Sequence, residues 1–423
     1  MFDQLFKSEY LKNIATLMSG SVSAQLVLLV ASPILSRLFT PSDFGIFALF
    51  VAVSTIFGMI SNGRYEIAIL LPDKDEDGFQ IFQLCLWLAI IFSLISLIIF
   101  WSIQQFEWFQ TSSIADYWYL LPFAIFLQGL IQAFTNLLNR HEQYLQISKS
   151  RLFGGIGLTV FSIGFGFFAF GPIGLILGKL IGQIVEFVVY ALKYYELRPT
   201  LSSTNNWNFA EKLNLAKKYS TFLKFSTLEG LFNTFFKQIP VLGLNAFFAP
   251  GLAGHFDLAQ KVLGKPVGLV GSSIGKVFFR KAAKMNNESP QQIRPFFLMN
   301  LRTMFWMVVP ASVLIILLSP TLFPIIFGNN WQLSGIYAAW LMPFFAVTFL
   351  KAPLSSIIDI KNKMHYNLLF EISFAIISAF AFWYGYRIND ALVAIQIFSL
   401  GNTVLGLFQL FWFYQLTNSA NDF

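Results

Sequence analysis

Twelve apolar runs of bilayer length divide this chain, and most of the turns between them are too short to link soluble domains. Read from hydropathy, they cover residues 12–38, 43–70, 79–103, 117–139, 149–170, 172–196, 220–248, 252–278, 296–319, 331–356, 365–386 and 390–416. About 20 apolar residues let one helix cross a bilayer, and a helix satisfies its own backbone hydrogen bonds there. The first turn shows the pattern: one run ends at Arg37, passes Thr40-Pro41-Ser42-Asp43, and restarts at once. Composition agrees, with 56% hydrophobic and 12% charged residues and a mean hydropathy of +0.64. A soluble chain of 423 residues needs far more polar surface. The expected fold is therefore an all-α integral membrane protein with about 12 transmembrane helices, in two pseudo-repeated six-helix bundles around a central cavity.

The net charge of +7 does not point to nucleic acid, because its distribution follows the positive-inside rule. With the N-terminus in the cytoplasm, that side collects Lys7, Lys12 and most other basic residues, among them Lys149, Arg151, Lys276, Arg280, Lys281 and Lys284. Arg37 and Arg387 fall on the opposite side. Both termini are thus expected inside. The N-terminal segment MFDQLFKSEYLKN lacks a small-residue cleavage site and reads as leading into a retained first span. Cys85 stands alone, which excludes a disulfide framework or a cysteine metal cluster.

The longest hydrophilic stretch, Leu197 to Tyr219, is basic and splits the chain into halves. The expected organisation is a bundle over 1–197, a cytoplasmic linker over 198–219, and a second bundle over 220–423. The halves look related: Pro41, Gly45 and Phe47 recur at one constant offset as Pro250, Gly254 and Phe256, each set between the first and second span of its half. Parallel six-helix repeats are a common transporter plan, with substrate held near mid-membrane.

Polar residues within the spans gather on single helix faces. Glu229, Asn233 and Lys237 follow an i, i+4, i+8 spacing, and so do Asp257, Lys261 and Lys265. Lys179, Gln183 and Glu186 share a side of the sixth span, and Gln128, Gln132, Thr135 and Asn139 mark the fourth. Each charge at a span centre costs about 2.5–3.5 kcal/mol on insertion scales, so four lysines need roughly 10–14 kcal/mol of compensation. A wet cavity or an anionic ligand supplies it. The competing reading is packing pairs, Asp257 with Lys261 and Glu229 with Lys237, which leaves Lys265 and Lys179 without a local acid. Arg64 is either a substrate contact or a snorkelling end residue. Being two apart on a helix, Arg64 and Glu66 are not expected to pair. Pro240 and Pro266 are expected to break their helices beside Lys237 and Lys265. His255 could sense protons or be an interfacial residue.

Other chemistries are disfavoured. Gly174, Gly178 and Gly182 read as close helix packing, and no phosphate-binding G-x-x-x-x-G-K-[ST] occurs. No histidine pair is placed to hold a metal, and no catalytic residues are expected. A facilitator-type carrier would show a basic G-x-x-x-D-R loop where this chain has Pro72-Asp73-Lys74-Asp75-Glu76-Asp77. A polysaccharide polymerase or ligase would need a large charged periplasmic loop. The longest here, Gln104 to Asp116, holds no Lys, Arg or His.

The opening hairpin, with Ser36-Arg37-Leu38, Pro41-Ser42-Asp43-Phe44-Gly45, Arg64-Tyr65-Glu66 and Leu71-Pro72 before an acidic tract, resembles the polysaccharide transport family. That family belongs to the multidrug/oligosaccharidyl-lipid/polysaccharide exporter superfamily. The resemblance implies a flippase moving undecaprenyl-diphosphate-linked sugar repeats across a bacterial inner membrane, for O-antigen or exopolysaccharide assembly. Its implied partners are that substrate, membrane lipids and the assembly machinery, including a polymerase; nucleic acid is not among them. Arg64, Lys179, Lys237, Lys261 and Lys265 are the candidate substrate contacts. The superfamily implies no cofactor but coupling to a proton or sodium gradient, with Glu186, Glu229 and Asp257 as candidate carriers. A multidrug exporter of the same fold is the rival, and the net basic span interior counts against it.

Overall fold

The computed structural model describes residue 20, residues 22–110, 112–201 and 209–361, residue 363, and residues 365–418. Lys7 and Lys12, used above for orientation, lie outside them. The described residues are helical, with no strand among them. Twelve long helices occupy the places of the twelve apolar runs. They are α1 (Val22–Leu38), α2 (Pro41–Ile60), α3 (Asp75–Ile103), α4 (Leu121–Arg140), α5 (Tyr144–Phe167) and α6 (Pro172–Leu201). The second half holds α7 (Thr227–Phe247), α8 (Pro250–Glu288), α9 (Ile293–Phe327), α10 (Gln332–Leu354), α11 (His365–Arg387) and α12 (Ala391–Leu416). Ten segments meet both length and hydropathy criteria for a span. The α1 helix falls short in described length, and α7 carries Glu229, Lys237 and a proline within its turns.

Local chemistry explains where these helices begin. At α2, Thr40 N and Oγ1 both donate to Asp43 Oδ2 at 2.8 Å while Asp43 N donates back to Thr40 Oγ1 at 3.2 Å. This reciprocal capping, with Pro41 in the first turn, satisfies donors that a helix start leaves open. Asp390 does the same for α12 through Leu392 N and Val393 N. The α9 helix stops at Gly328, whose φ of 104° suits a residue without a Cβ.

Two compact units divide the chain. One comprises residues up to Phe39 with Ile46–Phe235, the other Thr40–Gly45 with Phe236–Phe423. Within the first, α3 packs on α4, α4 on α6, and α5 on α6. Within the second, α9 packs on α10, α10 on α12, and α11 on α12. The second set is the first advanced by six helices, which is the pseudo-repeat seen in structure.

Several expectations need correction. The second span does not run to residue 70. The α2 helix ends at Ile60, and a turn through residues 61–64 precedes a short helix, Tyr65–Ala68. Gly63 and Arg64 both take left-handed backbone angles there, with φ of 56° and 62°. Neither Pro240 nor Pro266 ends its helix; each sits inside an unbroken run. A proline removes one backbone bond, and packed membrane helices absorb that loss. The residues expected as a linker include a further helix, Phe209–Lys218, held to the first unit where Tyr65 Oη donates to Ala216 O at 2.9 Å.

Candidate functional site

Each unit places span charges where a ligand could meet them. In the first unit, α5 and α6 cross closely because glycines face each other. A Cβ added at Gly182 would stand 2.7 Å from Gly154 O, and one at Gly178 would overlap Ser162. The glycine row on α6 is thus a packing seam, as its spacing predicts. Beside this seam lies a cavity of about 350 Å³ lined by Gln25, Gln128, Arg151, Lys179, Gln183 and Glu186. Two helix faces expected to be polar converge there, those of α4 and α6, while α1 adds Gln25 and α5 adds Arg151. Two cations therefore surround one carboxylate. Tyr190 hydrogen-bonds Glu186 and accepts from Thr135 Oγ1 at 3.1 Å. The Gln183 Oε1 atom is buried without a hydrogen-bond partner, so an acceptor remains open beside the cavity.

Arg151 was missed because, at the very edge of the fifth run as read from hydropathy, it was counted with the basic residues of the cytoplasmic side. The α5 helix begins at Tyr144, five residues before the hydropathy boundary, which carries Arg151 two turns into the bundle. The signal available was the amphipathic start of that helix, Tyr144-Leu145-Gln146-Ile147.

Arg64 lies elsewhere in the first unit, at the break after α2. Against expectation it pairs with Glu66, Nη1 to Oε1 at 3.7 Å. The left-handed turn removes the helical 200° separation of residues two apart, so the side chains can meet. Glu66 is buried, and its Oε2 has no hydrogen-bond partner. Asn62 Nδ2 anchors the turn to Gly129 O at 2.9 Å. Across from it, a Cβ at Gly230 would stand 3.7 Å from Arg64 Cζ, which brings Arg64 beside the start of α7 and its exposed Glu229. Lys237 is exposed on the same helix, within the second unit.

In the second unit, Lys261 Nζ meets Asp257 Oδ2 at 2.6 Å and lies 6.0 Å from the Phe44 ring centroid. The pairing reading therefore holds for these two residues. Lys265, one turn further on, is exposed and makes no ion pair with a described residue. His255 is a packing residue: Nδ1 lies 2.9 Å from Ser334 Oγ, and its ring meets Trp331 and Tyr337 edge-on. Around them the repeated motif packs against itself. A Cβ at Gly45 would overlap the Pro250 carbonyl, and one at Gly254 would overlap the Pro41 carbonyl. The contact is reciprocal, as a local two-fold relation demands.

A second polar cluster escaped the sequence reading. Lys351 Nζ donates to Gln409 Oε1 at 2.8 Å, Gln409 Nε2 to Asn367 Oδ1 at 3.3 Å, and Asn367 Nδ2 to Glu371 Oε1 at 3.3 Å. These residues come from three helices at unrelated spacings, so only the fold joins them. No group of His, Cys, Asp and Glu able to hold a metal occurs among the described residues.

A pseudo-repeated set of twelve apolar helices among the described residues, with charges on its span faces, defines the class as a multi-pass helical membrane protein. Solved structures agree on the fold. The lipid II flippase MurJ in an inward closed conformation matches with a TM-score of 0.68 at 14% identity, over 94% of this chain and 88% of that one. An inward-facing multidrug resistance MATE family transporter of the MOP superfamily matches at 0.62 and 14% identity, over 96% of both chains. A MOP superfamily transporter from Pyrococcus furiosus, described as having a binding pocket of reversed polarity, matches at 0.56 and 13% identity over 96% and 94%. No curated protein sequence matches. The family model described as polysaccharide biosynthesis protein matches residues 34–335, and the chain belongs to that family.

Proposed function

We propose that the protein is a flippase for undecaprenyl-diphosphate-linked oligosaccharide repeat units. It carries them by alternating access from the cytoplasmic to the periplasmic leaflet of a bacterial inner membrane, for O-antigen or exopolysaccharide assembly, with both termini in the cytoplasm. The observation that carries the reading is the excess of cations on span faces: Arg151 and Lys179 beside the single Glu186 in the first unit, and Lys265 beyond the Asp257–Lys261 pair in the second. A diphosphate head needs such groups, and lysine attracts phosphate as a point charge without demanding bidentate geometry. The amides of Gln25, Gln128 and Gln183 offer donors and acceptors to sugar hydroxyls. Arg64, Lys179, Lys237, Lys261 and Lys265 are the proposed substrate contacts. Glu186, Glu229 and Asp257 are proposed to couple transport to a proton or sodium gradient, with no cofactor and no catalysis by the chain itself.

Deleting the gene tests the reading. Lipid-linked repeat units should accumulate on the cytoplasmic leaflet. Sensitivity to cationic dyes without such accumulation would instead identify a multidrug exporter of the same superfamily.

A further inference from the structure

The α8 helix is much longer than a membrane requires. Its 39 residues rise about 1.5 Å each, roughly 58 Å in all, against about 30 Å of hydrocarbon in a bilayer. From Leu258 to Asn287 it holds Lys261, Lys265, Lys276, Arg280, Lys281 and Lys284 and not one acid. At about 100° per residue, Lys265, Gly268, Ser272 and Lys276 all fall within roughly 60° of Lys261, with Arg280 at about 100°. Lys265, Gly268, Ser272, Lys276 and Arg280 are all exposed. An added Cβ at Gly268 meets no atom within 4 Å, so the stripe is open there. The neighbouring face is occupied: Gly264 faces Phe345, Gly271 faces Ala352 and Gly275 faces Pro353 of α10. Lys281 points to a third side, about 160° from Lys261.

We propose that this stripe is a two-station track for a lipid-linked diphosphate. Lys276 and Arg280, about 6 Å apart along the axis, capture the head at the cytoplasmic face; Lys261 and Lys265, equally spaced, receive it further in. Between the stations lie about 16 Å of helix carrying only the open Gly268 and the Ser272 hydroxyl, with no carboxylate to repel the head. The inference rests on the flippase reading and adds an entry site that the charges further in do not require. Asp257 and Lys261 remain paired until the incoming phosphate competes for the ammonium.

The test uses full-length protein in nanodiscs of zwitterionic lipid, with farnesyl diphosphate as probe and farnesol and inorganic pyrophosphate as comparisons. Association rates are read by stopped flow. The Lys276→Gln, Arg280→Gln double variant should associate about tenfold more slowly, because removing entry charges acts on the on-rate. Lys281→Gln removes a charge from the same end but off the stripe and should leave the rate unchanged. Equal slowing by Lys276→Gln and Lys281→Gln would overturn the track in favour of general charge attraction. Wild-type binding no better than farnesol would overturn the flippase reading along with it. Tight binding of pyrophosphate alone would assign the stripe to free phosphates and also overturn the proposal. Independently of the glutamine variants, Ser272→Cys in the otherwise wild-type chain should be protected from maleimide by farnesyl diphosphate and not by farnesol. Absence of that protection would equally sink the track.

Discussion

Replacing Gly45 with alanine tests how the two copies of the repeated motif hold the second unit together. An added Cβ there would lie 3.1 Å from Gly254 N and would overlap the Pro250 carbonyl, which is backbone and cannot rotate away. The start of α2 and the start of α8 must separate to admit it. Overpacking of this kind costs about 1–3 kcal/mol, which for a unit of this size is roughly 2–12 °C in melting temperature. Gly254→Ala should cost a similar amount, because its Cβ meets Pro41 in the mirrored way. The two together should cost less than their sum, since the first separation already makes room for the second. Gly268→Ala on the same helix meets open space and should stabilise by about 0.5–1 kcal/mol through helix propensity. Melting of purified protein in detergent, followed by tryptophan fluorescence, measures all four. Equal, small effects at positions 45, 254 and 268 would refute the reciprocal crossing.

Three further outcomes follow from the same geometry. Burial raises the Glu66 pKa above its usual 4.5, opposed by a smaller pull from Arg64. The folded chain then holds a proton that the unfolded chain releases, so stability should fall as pH rises from about 4.5; Glu66→Gln should remove that fall in a pH series of melting curves. Trp331 is fully buried, with Phe44 at 4.9 Å and His255 at 5.6 Å, so Trp331→Ala should cost about 3–5 kcal/mol, read by the same melting assay. Neutralising Lys261 and Lys265 together should impair transport while membrane expression stays intact; full transport by that double variant would return both residues to a packing role.

Much of the architecture was legible in the sequence because a bilayer demands long apolar runs, and these fix helix number and order. The Pro41–Gly45 and Pro250–Gly254 echo was also legible, as was the glycine row on α6. The break after α2 was not read, although Ser61-Asn62-Gly63 is a turn signal within the apolar run. Hydropathy averages across three polar residues, and so the Arg64–Glu66 pair was not expected, on helical spacing that does not exist there. A boundary set five residues late put Arg151 at the edge of its span, where it was counted as a cytoplasmic charge rather than a bundle residue. The Lys351–Gln409–Asn367–Glu371 chain was beyond reach, because its members meet only when α10, α11 and α12 pack.

The central claim is that a lipid-linked diphosphate sugar crosses the membrane through this protein. Purified protein in proteoliposomes, loaded with a fluorescent polyprenyl-diphosphate disaccharide, tests it with a membrane-impermeant quencher. The account predicts that inner-leaflet probe becomes quenchable in wild-type vesicles and stays protected in vesicles carrying Lys261→Gln, Lys265→Gln protein. Probe that remains protected in wild-type vesicles, with and without an imposed proton or sodium gradient, would contradict it.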